Sequence, residues 1–226
     1  RKIIKTKQMK KFKVILFVFQ FLVLYFQCSN SFSQKLSNNG AGFNVSPGVV
    51  VIVDDINNTS GTISNSGTIT ITDFSNSGIV NGSGNYNISG NWINNATFVP
   101  SAGVVAFNST VNQTIGGTNA STFYNLEINN SSLIGVTLSA SASVEGVFTL
   151  TNGLVFTTAT DLLTLNSGSS IGAVSNNSFV SGPVAKLGAT DFIFPVGKDA
   201  KYRPIGISTL TGSETFIAEY FPVNPN

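Results

Sequence analysis

Ten carboxylates and one cluster of cations are the residues of this chain best able to do chemistry, and their spacing limits what that chemistry could be. Asp54 and Asp55 are the only adjacent acids. They follow an apolar run and precede INNTSG, a turn sequence in which an aspartate bonds the local backbone. The pair is read as turn residues, with a calcium or catalytic role as the alternative. Asp73, Glu127, Glu145, Asp161 and Asp191 stand singly. Cleavage of a glycosidic bond needs two carboxylates facing one substrate. Asp161 and Glu145 are the best pair for that work, if neighbouring strands align them. No D-x-[DN]-x-[DN]-G loop and no GGxGxDxUx repeat occurs, and GSGNYNISG (82–90) has glycines without an aspartate. No metal or cofactor is expected, and calcium stapling is a third reading.

The cations cluster in FIFPVGKDAKYRPIGI (192–207), where Lys198, Asp199, Lys201 and Arg203 surround Tyr202. Phe192 and Phe194 alternate along a strand, Pro195 limits ladder pairing, and KDAK fits a solvent-exposed turn. Arg203 is held extended by Pro204 as the return strand begins. The stretch is therefore expected to be a hairpin. Trp92, the single tryptophan, lies in SGNWINNATF and is expected to pack in the core or at a strand edge. If side chains of this chain contact a ligand, Trp92, Tyr202 and Arg203 are the candidates. After residue 33 there is no Cys and no His. That rules out disulfides, imidazole- or thiolate-ligated zinc, copper and haem, and Ser-His-Asp or Cys-His nucleophiles within this stretch. No catalytic residue is assigned, and a non-enzymatic protein is expected.

The elements that would position these residues are strands. No window keeps apolar residues at i, i+3, i+4 and i+7 over three turns, and strong helix formers are scarce. Short β-branched runs separated by Asn-Gly-Ser clusters dominate instead. The unit repeats as NTSGTI (58–63), NSGTITI (65–71) and NSGIV (76–80), and apolar runs then recur at 126, 136, 147, 154, 162 and 171. This spacing fits an all-β right-handed parallel β-solenoid, a β-helix-like repeat, better than a Greek-key sandwich. Asn and Gly tolerate the backbone angles of solenoid corners, and stacked Asn side chains can hydrogen-bond from coil to coil. NNTS, NNAT and NNSS are read as such corners rather than glycosylation acceptors. GVVVIV (48–53), apolar on both faces, is expected to be an early buried strand of an N-terminal cap.

The first stretch stands apart. Seven cations precede an apolar run from Val14 to Phe26 that is broken only by Gln20, and small residues follow as Ser31-Phe32-Ser33. This is the pattern of a secretory signal peptide, with Met9 as the start and cleavage near Ser33. The 13-residue run is shorter than the ~20 residues that span a bilayer, so membrane contact is expected only through the cleaved leader. Gln27 before Cys28 argues against lipidation. Residues 34–226 then hold five cations against ten acids, a net charge of −5, which offers no electrostatic footprint for nucleic acid.

The run from Ser89 to Val155 resembles the repeat region of large secreted surface proteins of the Bacteroidetes, and FVSGPVAKLGATDFIFPVGKDAKYRPIGIS (179–208) resembles the segment that follows it. The F-P-V-G-x-x-x-x-Y-R-P pattern is the more specific part. The resemblance implies export by the type IX secretion system through a C-terminal sorting domain, and an adhesin-like role at the cell surface. No sorting domain is present up to EYFPVNPN, and the chain is expected to be a fragment. The expected organisation is a leader over 1–33, a solenoid over 34–185, and over 186–226 the beginning of a β-sandwich-like domain. The expected function is a secreted or surface-held structural, adhesin-like protein that contacts glycans or other cells. The alternative is a carbohydrate-active or carbohydrate-binding β-helix.

Overall fold

A computed structural model of the chain describes residues 33–209, 212 and 214–223. The leader and residues 224–226 lie outside the described residues. Among the described residues every regular element is a strand, and the strands stack as a parallel β-solenoid of about eight turns. Residues 34–226 form one compact unit.

Each turn of the chain visits three faces. The first face runs through Asp73–Asn76, Trp92–Asn94, Gln113–Gly116, Val136–Leu138, Val155–Phe156 and Val180–Ser181. The second runs through Ile79–Gly82 and Thr97–Pro100, then Ser121–Phe123, Ala142–Val144, Leu163–Leu165 and Val184–Gly188. The third holds Val50–Ile52, Thr68–Ile71, Asn85–Ile88, Val104–Ser109, Asn125–Asn130, Val147–Asn152 and Ser170–Ile171. The long strands Lys35–Val45 and Asp55–Asn65 bend around the corner between the first two faces. Turns differ in length: Asp55 pairs with Asp73 eighteen residues on, whereas Val155 pairs with Val180 twenty-five residues on.

Alternation in a strand sends every second side chain inward. Ile56, Phe74, Trp92 and Ile115 lie in register on successive coils of the first face, all fully buried. Trp92 stacks on Phe74 at 4.2 Å between ring centroids and meets Tyr86, Phe98 and Phe123 edge-on. Burying such a ring stabilises by about 1.5–3 kcal/mol. The corner between the first and second faces is polar but closed. There Asn38 donates to Asn58, Asn58 to Asn76 and Asn76 to Asn94, amide to amide, over 2.8–2.9 Å. The expected Asn ladder is therefore present, and it is buried.

GVVVIV does not form the expected buried strand. Val50–Ile52 is the edge strand of the third face, with Val50 60% and Ile52 70% exposed, and only Val51 and Val53 pack against the core. A solenoid wall is one sheet thick, so an all-apolar strand still has one face outside.

Pairing turns antiparallel after the last coil. Val184–Gly188 continues the second face beside Leu163–Leu165, spanning the expected boundary at 185/186, and Glu214–Ala218 then adds to it antiparallel. Phe192–Phe194 pairs with Ile205–Ile207, and Gly197–Lys198 with Lys201–Tyr202, so 192–207 is a hairpin. Its two-residue turn, Asp199-Ala200, has both φ angles positive, at 54° and 55°, which is the primed turn that matches strand twist. Val180 N–H donates to Pro195 O at 2.7 Å, tying the hairpin to the first face.

Candidate functional site

The stacking of coils, not any single turn, brings outward side chains together. On the third face Thr70, Asn87, Ala106, Glu127 and Thr149 stand in one register row, and Thr68 and Asn85 begin a second row beside it. Adjacent strands lie about 4.8 Å apart, so Thr68, Thr70, Asn85, Asn87 and Thr149 present hydroxyl and amide groups at multiples of that repeat, with Ala106 and Glu127 between them. Asn87 Nδ2 donates to Thr70 Oγ1 at 3.3 Å, and Thr151 Oγ1 donates to Glu127 Oε1 at 2.9 Å. Glu127 is the only charge on the strands of this face.

A groove of about 420 Å³ lies on the first face, lined by Lys35, Asp55, Asn57, Asp73, Ser75 and Asn91 among others. Lys35, Asp55 and Asp73 are register partners on three successive coils. Asp73 Oδ1 accepts the Asn91 N–H at 2.6 Å, which fixes that carboxylate. Asp54 behaves as a turn residue, its Oδ2 accepting the Gln34 N–H at 2.6 Å. Asp55 does not: it opens a strand and faces the groove. Asp161 and Glu145, expected as the working pair, sit beyond opposite ends of the second-face strands Leu163–Leu165 and Ala142–Val144. In register terms they are five positions apart (Asp161 level with 140), about 16 Å along the strand. Asp161 instead bonds the hydroxyls of Thr158 and Thr160. Among the described residues no three Asp, Glu, His or Cys side chains are grouped to hold a metal ion.

The three candidate contact residues separate. Trp92 is fully buried and its Nε1 donates to Ser121 Oγ at 3.0 Å, so its ring offers no surface platform. Tyr202 is half-buried on the hairpin, its N–H donating to Asn176 Oδ1, and burial pushes its phenol above the usual value. Arg203 is exposed, with its N–H donated to Val196 O. No carboxylate forms an ion pair with either Lys201 or Arg203 among the interactions of the described residues.

Two buried polar groups escaped the sequence. Lys186 takes an inward position beside Leu165 and is only 1% exposed; its Nζ donates to Asn166 O at 2.6 Å and Ser169 Oγ at 3.3 Å, and lies 5.2 Å from the Phe192 ring centroid. Burial lowers its pKa. The alternation of FVSGPVAKLG was the available signal. The Tyr86 hydroxyl is buried without a hydrogen bond, although the Asn65 amide is its neighbour, and desolvation raises its pKa. No family model, curated protein or solved structure matches the chain.

Proposed function

We propose that this chain is an exported, non-enzymatic surface protein of the Bacteroidetes type IX kind, whose solenoid is a rigid spacer and whose third face is adhesive. The observation that carries the reading is that face: Thr68, Thr70, Asn85, Asn87, Asn125 and Thr149 present hydroxyl and amide groups spaced by the strand repeat, with Glu127 the one charge among its strands. A repetitive polymer such as a surface glycan can match such a row by many weak contacts, each too small to hold alone. The leader sequence and the family resemblance support the export route.

One observation favours a second reading, a carbohydrate-active β-helix. Asp55 and Asp73 stand side by side in a polar groove, which Asp161 and Glu145 do not. One experiment addresses both readings. Residues 34–226 are incubated with cells, a polysaccharide panel and abiotic surfaces, and both retention and release of reducing ends are measured. Adhesion predicts retention without release. Release that is lost in Asp55→Asn and Asp73→Asn would favour the enzyme, and neither signal above a bland control protein would leave the spacer role alone.

A further inference from the structure

The two ends of the solenoid are built differently. At the C-terminal end an antiparallel strand, Glu214–Ala218, covers the edge of the second face and is flanked by Glu214 and Glu219. The hairpin brings Pro195, Pro204, Lys198, Lys201 and Arg203 over the same end. Charge, proline and antiparallel cover are the usual devices that stop a sheet edge from pairing with another chain.

Among the described residues the N-terminal edge of the third face has no charge or proline within its strand and no antiparallel cover, Pro47 and Asp54 standing just outside it. Val50–Ile52 is an edge strand paired, among the described residues, on one side only, to Thr68–Ile71, and Gly48–Val53 carries no charge. Val49, Val50 and Ile52 are exposed, and behind them Leu36, Phe43, Val51 and Val53 form a last core layer that is only partly buried. Solenoids need polar capping turns where their cores stop. Here the core stops on an apolar, hydrogen-bond-competent edge.

We infer that this N-terminal edge is a self-association surface, and that two copies of the chain join end to end through it by antiparallel pairing of their Val50–Ile52 strands. A two-fold interface sets one patch against its own copy, so the patch must be self-complementary. An uncharged apolar strand meets that condition, since no like charges are opposed along it, and edge-to-edge pairing supplies the unmade backbone hydrogen bonds. At the opposite end the first- and second-face edges are already taken by the hairpin and by Glu214–Ala218, and the third-face end strand Ser170–Ile171 lies in a cleft beside hairpin residues Phe192, Ile193, Gly206 and Ile207, so the N-terminal edges are set against each other. The resulting particle carries two third faces on one rigid body, with the two C-terminal caps pointing apart. The inference takes residues 1–33 as a removed leader, so that this edge is free in the exported chain.

The test is sedimentation equilibrium on residues 34–226, the compact unit, beside Val50→Lys, Ile52→Lys and the control Thr122→Lys, whose site is on the second face. The expected result is a reversible dimer for the parent and the control, and a monomer for both edge variants. Circular dichroism melts of the edge variants are expected to match the parent, because both sites are mostly exposed, which separates lost association from lost folding. A monomeric parent, a dimer unaffected by either lysine, or open-ended polymers with no dimer plateau would each overturn the inference. The mass of the chain recovered from the medium tests the leader separately: retention of 1–33 would sink the export reading without touching the sedimentation result.

Discussion

Asn76 shows how much of the stability rests on single polar side chains. Its amide accepts from Asn58 and from the Gly78 N–H, and donates to Asn94 and to Thr97 O, all inside the corner. Buried polar groups cost about 1–3 kcal/mol each when a partner is lost. Asn76→Ala is therefore expected to lower unfolding free energy by about 2–4 kcal/mol in urea titrations, while Asn87→Ala on the third face stays within about 0.5 kcal/mol. Equal, small effects would remove the ladder from the account. Lys186 makes a second prediction, in pH. Its folded pKa is below 10.5, so between the lowered value and 10.5 the unfolded chain binds more protons, and stability from this residue rises with pH. Compared with Lys186→Met, the parent should gain stability as pH rises toward 10.5. A slope difference of zero, or of opposite sign, would contradict a desolvated ammonium at Lys186.

The elements themselves were largely legible. NSGTITI and NSGIV each mark a corner and the strand after it, NTSGTI marks the bend within Asp55–Asn65, and the hairpin at 192–207 followed from Pro195, Gly197 and the KDAK turn. What could not be read was the stacking. Because turns take from seventeen to twenty-five residues, no fixed period reveals that Asp55 faces Asp73 or that Asp161 and Glu145 lie at opposite strand ends. Strand identity also hid environment: GVVVIV is as apolar as a buried strand, yet it is an edge. The glycines show where local rules bind most tightly. Gly82 has φ +113° and a Cβ there would collide with Asn65 O, so this corner admits no side chain. The hairpin turn offers a gain instead. Ala200 sits at φ 55°, where an L-residue with a Cβ costs about 1–2 kcal/mol relative to the relaxed backbone. Ala200→Gly is expected to raise Tm by about 2–4 °C, and an unchanged or lower Tm would count against the primed turn.

At the scale of the whole solenoid, about eight coils at roughly 4.8 Å each stack over nearly 40 Å, and its faces differ in kind. The first carries the groove with its acids, the third an almost uncharged polar row, and the N-terminal edge an apolar strand. Such a division suits the proposed reading, in which one side holds a surface and the N-terminal edge meets a second copy. The most direct measurement is retention of residues 34–226 on a binding polysaccharide or cell surface, read by quartz-crystal microbalance, for two triple variants. One carries Thr70→Glu, Asn87→Glu and Thr149→Glu on the third face, and the other Thr62→Glu, Thr97→Glu and Thr164→Glu on the second. The adhesive-face account predicts that the third-face variant loses retention while the second-face variant keeps it. Equal retention by both, or none by the parent above a bland control, would contradict it.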